Sequence, residues 1–170
     1  MIRARKTLVA TGTALALIGA SAIVRSDPLL IWNASASVPV GFYAVIAITQ
    51  PGIGDLVAVR PPEPLGRWLV VSGYLGPNTP LLKRVAALPE SEVCREGTTI
   101  IIDGAAVAEA QLRDRIGRPL PAWRGCWTLR DGELFLLNAD HPGSLDGRYF
   151  GPIGADTLIG RAMPIWTGEG

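Results

Sequence analysis

The chain has 170 residues, enough for one domain whose core needs neither a metal nor several crosslinks to hold it together. Its net charge of +1 leaves no basic excess, which argues against a nucleic-acid partner. Fourteen prolines and twenty glycines punctuate it, pointing to short strands and turns rather than long helices.

Arg3, Arg5 and Lys6 open the chain, and Leu8 to Val24 then run for 17 residues without a charge. As a helix this stretch is about 26 Å long, near the lower limit for crossing a bilayer. The basic cluster is expected to stay in the cytoplasm, which sends the remainder of the chain outside. We take residues 1–26 as a cytoplasmic tip and single transmembrane anchor, and residues 27–170 as an exported β-rich domain. The competing reading is a cleaved signal peptide, because Ala20-Ser21-Ala22 imitates a small-residue cleavage site. Both readings export the domain.

Asp27 to Ser37 reads as a short exposed connector. Strands are predicted at 42–48, 56–60, 68–72, 81–87, 98–103, 126–130, 133–138 and 157–165, separated by turn signals such as Asp103-Gly104, Asp131-Gly132 and Pro142-Gly143. Asp131-Gly132 stands between two alternating runs and predicts a hairpin. Val107 to Ile116 reads as a short helix. The expected fold is therefore mainly β, an antiparallel domain behind one membrane helix.

Cys94 and Cys126 are too far apart for a CxxC redox motif, and no cysteine-histidine spacing makes a zinc site. In an oxidising compartment an even pair is most simply one disulfide, and two separate buried thiols are the alternative. His141, the single histidine, lies beside a Pro-Gly turn and reads as exposed loop. Trp32, soon after the apolar run, suits the boundary between lipid and water.

With so little histidine available, Ser37 and Lys83 are the pair that points to nucleophilic chemistry. A serine hydroxyl needs a base, and a lysine serves only if its surroundings keep it uncharged. Leu81, Leu82, Val85, Ala86 and Ala87 around Lys83 offer such surroundings.

Four blocks carry a resemblance that covers most of the exported part. They are Ser37-x-Pro39-x-Gly41-Phe42-Tyr43, the stretch Gly54 to Val59, the stretch Leu82 to Pro89, and Ser144-Leu145-Asp146-Gly147-Arg148-Tyr149-Phe150-Gly151-Pro152. In this order they resemble the type I signal peptidases, and the first and last blocks are similar to the TraF-type, conjugative-transfer branch. The resemblance implies a signal-peptidase-like fold and a membrane-anchored serine endopeptidase with a periplasmic catalytic domain on a bacterial inner membrane. It implies Ser37 as nucleophile, Lys83 as general base and Ser35 as an oxyanion donor. It also puts Ser144 beside the amine, and Asp146 with Arg148 in support. Because a carboxylate near the lysine would hold it charged, Asp146 is assigned to pairing with Arg148 or to ordering its loop. No metal or cofactor is implied. The implied partner is an exported, pilin-like precursor protein. This chain departs from the pattern at Gly147, where serine is usual, at Val38, where methionine is common, and at Glu90-Ser91, where Gly-Asp is customary. None of these removes the hydroxyl or the amine. An inactive component of a transfer complex, or an exported β-domain that binds a partner, are the alternative functions. A self-cleaving repressor-type protease would use the same pair but is cytosolic.

Overall fold

The computed structural model describes residues 11–13, 15 and 30–168. The predicted membrane helix falls almost wholly outside them, and among the described residues no helix is long and apolar enough to cross a membrane. The remainder is mainly β, in two antiparallel sheets.

The larger sheet holds β1 (Leu30–Asn33), β2 (Gly41–Ile46), β3 (Leu56–Val59), β4 (Leu81–Ala87), β9 (Glu133–Leu136), β10 (Ile153–Gly154) and β11 (Leu158–Thr167). Its spatial order is β1-β2-β11-β3-β4-β9-β10. In β2, Tyr43 and Val45 point into the core while Phe42 and Ile46 face outward, the alternation of a strand with one covered face. Val57, Ala58 and Val59 of β3 are all buried, as befits a central strand covered on both sides. One face carries Val57, Val59, Leu81 and Val85 against Leu69 of a helix, α1 (Glu63–Val71). The other carries Ile31, Val38, Tyr43, Ala58 and Leu82.

The smaller sheet holds β5 (Glu92–Glu96), β6 (Thr99–Ile102), β7 (Ala105–Glu109) and β8 (Gly125–Thr128), in the order β7-β6-β5-β8. Val93 and Ile100 from this sheet pack with Ala87, Leu129, Phe135 and Leu137 in a third core that joins it to the larger one. A short helix, α2 (Gly147–Phe150), precedes β10.

Four expectations are corrected. Residues 68–72 belong to α1 and its end rather than to a strand. Prolines at its start, Glu63 in the first turn, and Leu65 and Leu69 one turn apart set a helical period that the apolar run Trp68 to Val71 obscured. Residues 107–116 hold no helix. Instead Asp103 and Gly104, both with positive φ (48° and 81°), turn β6 back into β7. Asp131-Gly132 makes a turn, with Glu133 N–H donating to the Arg130 carbonyl at 3.0 Å, but no hairpin. There β8 pairs with β5 and β9 with β4, so the chain crosses between sheets. Finally, Leu30–Asn33 in the supposed connector is a strand paired with β2, with Ile31 and Asn33 buried.

Candidate active site

Ser37 lies in the loop between β1 and β2, which two buried side chains shape. Asn33 shares its Nδ2 among the carbonyls of Ser35, Val38 and Pro39 at 2.8, 3.0 and 3.1 Å, and its Oδ1 accepts from the Ser35 N–H and Oγ. The Tyr43 hydroxyl donates to the Pro39 carbonyl at 2.6 Å. Val38 is buried in the core beside it, so the loop is anchored immediately after Ser37. Ser35 Oγ then stands 3.0 Å from Ser37 Oγ.

Lys83 is only 4% exposed on β4, opposite Val57 of β3. Its Nζ donates to Ser144 Oγ at 2.9 Å and to Ser37 Oγ at 3.4 Å. Burial lowers its pKa to about 8, with the Asp146 carboxylate opposing the shift and the Arg148 guanidinium assisting it. Those two side chains are themselves buried and paired. Asp146 accepts from Arg148 Nε on one oxygen and from Arg148 Nη2 on the other, each at 2.9 Å. Both oxygens of the carboxylate thus face the Arg148 guanidinium, which offsets part of its pull on the Lys83 proton, and burial outweighs the remainder. Arg148 also donates to the carbonyls of His141, Asn138 and Ser144, fixing the loop that presents the Ser144 hydroxyl. An amine held near neutrality beside an alcohol is the arrangement that serine activation by lysine requires.

A family model described as signal peptidase, peptidase S26, matches residues 4–167. The chain belongs to the signal peptidase family. Several relatives carry conjugal transfer in their descriptions. The probable conjugal transfer protein TraF of Sinorhizobium fredii is 34% identical over 145 residues, spanning 79% of this chain and 76% of that one. The conjugal transfer protein TraF of Agrobacterium fabrum is 36% identical over 147 residues, spanning 79% and 81%. A solved signal peptidase I from Enterococcus faecalis aligns with a TM-score of 0.40 at 21% identity, over 68% of this chain and 98% of that one.

In this signal peptidase chain, Ser35, Ser37, Lys83 and Ser144 come together as one polar cluster, with Asp146 and Arg148 directly behind it. Cys94 and Cys126 are directly opposed on β5 and β8 and form a disulfide within the smaller sheet. His141 is half-buried rather than exposed and serves the loop through its backbone, its carbonyl accepting from Ser144 N–H and Arg148. Gly147, where serine is usual, has an evident cause. A Cβ there would stand 2.6 Å from the Phe135 ring and 2.8 Å from the Leu136 carbonyl oxygen.

Two residues were missed in the sequence, Asn33 and Asn138. Asn33 ends β1 and Asn138 lies two residues past β9, places where an asparagine looks like ordinary turn chemistry. Only their burial distinguishes them.

Proposed function

We propose that this chain is a membrane-anchored serine endopeptidase that uses Ser37 and Lys83 to cleave an exported precursor, a pilin-like subunit of a conjugative transfer system. The single observation that carries the reading is the Lys83 amine, buried and in hydrogen-bond contact with both Ser37 Oγ and Ser144 Oγ. At a pKa of about 8, roughly a tenth of the amine is neutral at pH 7, against fewer than about one in a thousand for an ordinary lysine.

In the proposed reaction, neutral Lys83 takes the proton as Ser37 Oγ attacks the scissile carbonyl, and the resulting ammonium is held by Ser144 Oγ. The oxyanion is met by the Ser37 N–H and by the Ser35 hydroxyl, whose proton turns to it from Asn33 Oδ1 while the Ser35 N–H stays on that oxygen. The tetrahedral adduct collapses, the C–N bond breaks, and Lys83 returns its proton to the leaving amine. A water deprotonated by the same amine then attacks the ester, freeing the carboxylate and restoring Ser37.

Support for a membrane setting comes from the outer face of β1, β2 and β11. Leu30, Trp32, Phe42, Ile46, Met163 and Trp166 are all exposed there, with Trp32 stacked on Trp166 and tilted against Phe42. Water-exposed apolar surface of this kind marks a face that meets lipid or protein. The relatives described as conjugal transfer proteins support the conjugative setting by analogy, and the pilin-like substrate is part of the proposal. The test is co-expression with a pilin-like precursor of a conjugative transfer system. Wild type is expected to shorten the precursor, while Ser37→Ala and Lys83→Ala, present at normal membrane levels, leave it full length. Processing by either variant overturns the reading.

A further inference from the structure

We infer that Asn138 is a positioning residue that fixes the separation between the Ser37 loop and the Lys83 strand, an inference that rests on the Ser-Lys reading above. Ser37 and Lys83 stand on segments of one sheet that no ladder joins directly. Ser37 lies between β1 and β2, whereas the ladder neighbours of β4 are β3 and β9. Backbone pairing connects them only through the intervening β11 and β3, and no backbone bond runs between the Ser37 loop and β4. One side-chain amide bridges the gap. Asn138 Nδ2 donates to the carbonyl of Ser37 itself at 2.9 Å and to the carbonyl of Leu82, just before Lys83, at 3.2 Å. Its Oδ1 accepts from the N–H of Arg84, just after Lys83, at 3.0 Å.

The rest of the residue is tied down as firmly. Its own N–H donates to Asp146 Oδ2 at 3.1 Å, and its carbonyl accepts from Arg148 Nη2 at 3.2 Å. Asn138 thus links the three segments that supply Ser37, Lys83 and Ser144. It is 4% exposed, so water cannot easily replace these bonds. The position also explains why the side chain takes over from the ladder. Leu137 N–H donates to the Arg84 carbonyl, and the reciprocal bond from Arg84 N–H goes to the Asn138 side chain. Only a primary amide of this length offers two donors and an acceptor in that geometry. Aspartate lacks the donors and leucine lacks every polar atom.

The experiment uses the full chain with Asn138→Ala and the similarly sized Asn138→Leu, and takes two readouts. The first is cleavage across pH of the pilin-like precursor used in the test above. The second is titration of Lys83 by carbon-13 labelling of lysine, favourable because the chain contains only Lys6 and Lys83. Wild-type Lys83 is expected to titrate near 8. In both variants the titration should move up toward that of an ordinary lysine and the acid limb of kcat/KM should follow it. Turnover should fall about 100-fold with KM little changed, as expected for reacting groups displaced by about 1 Å. A merely structural asparagine would lower the unfolding temperature but leave the Lys83 titration and pH profile of the folded protein as they were. Should Asn138→Ala fail to fold, Asn138→Leu carries the test. Folded variants that titrate and cleave like wild type overturn the inference and leave the protease reading standing. If wild type leaves the precursor uncut while Lys83 still shifts in the variants, the protease reading falls and the positioning role survives.

Discussion

At the scale of single residues, the proposed reaction sets Lys83 two opposed demands. It must be dry enough to lose its proton, yet it must hold that proton once taken from the serine. Burial serves the first and the Ser144 hydroxyl serves the second, while Arg148 partly offsets the Asp146 carboxylate, which favours the charged amine. The pH dependence comes from the neutral form being the base. Processing should rise about tenfold per unit as pH increases toward about 8 and level off above it, read from the initial rate of precursor cleavage. A rate that is flat from pH 6 to 9 would exclude this amine as the base. Much of the site was legible at this scale, because Ser37, Lys83, Ser144, Asp146 and Arg148 all sit in recognisable blocks and Ser35 stands two residues before the first of them. Asn33 and Asn138 were not, since their contacts reach carbonyls from other parts of the chain, and no local pattern encodes which carbonyls will converge on them.

At the scale of elements, the two Asp-Gly pairs show where reading by pattern stops. Asp103 and Gly104 both adopt positive φ and close a hairpin, whereas Asp131-Gly132 looks identical in sequence and joins strands of different sheets. The difference is tertiary, since Leu129 and Arg130 sit at the crossing where Leu129 exchanges backbone bonds with Glu90 and Ser91. The missed helix α1 has a related cause. Its apolar side is short, and four consecutive bulky residues from Trp68 to Val71 imitate a buried strand. Gly147 at the start of α2 gives a prediction at the same scale. Gly147→Ser should lower stability by about 2 kcal/mol, because Phe135 and the Leu136 backbone leave no room for a Cβ. Adding Phe135→Leu should cost less than the two single changes summed, as measured in urea unfolding. Strict additivity would mean that the ring is not what excludes the side chain.

For the whole molecule, the buried amine is a stability cost concentrated at the site. The folded-state pKa of about 8 lies below the ordinary lysine value of 10.5, so below pH 8 both folded and unfolded chains are protonated and the penalty is complete. Between the two values only the unfolded chain binds the proton, and stability climbs with pH until the penalty is gone. Lys83→Met removes an ammonium whose burial costs about 3 kcal/mol, partly offset by the hydrogen bonds lost at Nζ. The variant should melt a few degrees higher than wild type at pH 7, with the gain fading as pH approaches 10.5. Equal melting temperatures at pH 7 would mean that the site does not strain the fold.

The hairpin that bears Ser37 also bears Trp32 and Phe42, which sit equally far along the chain on either side of it and face each other across β1 and β2. Were those rings resting in a bilayer surface, the nucleophile would ride at a set height above the lipid, unable to slide outward along a tethered polypeptide. Such a catalyst would choose its bond partly by altitude, so lengthening or shortening the substrate between its apolar segment and the scissile peptide would change cutting even with every flanking side chain preserved.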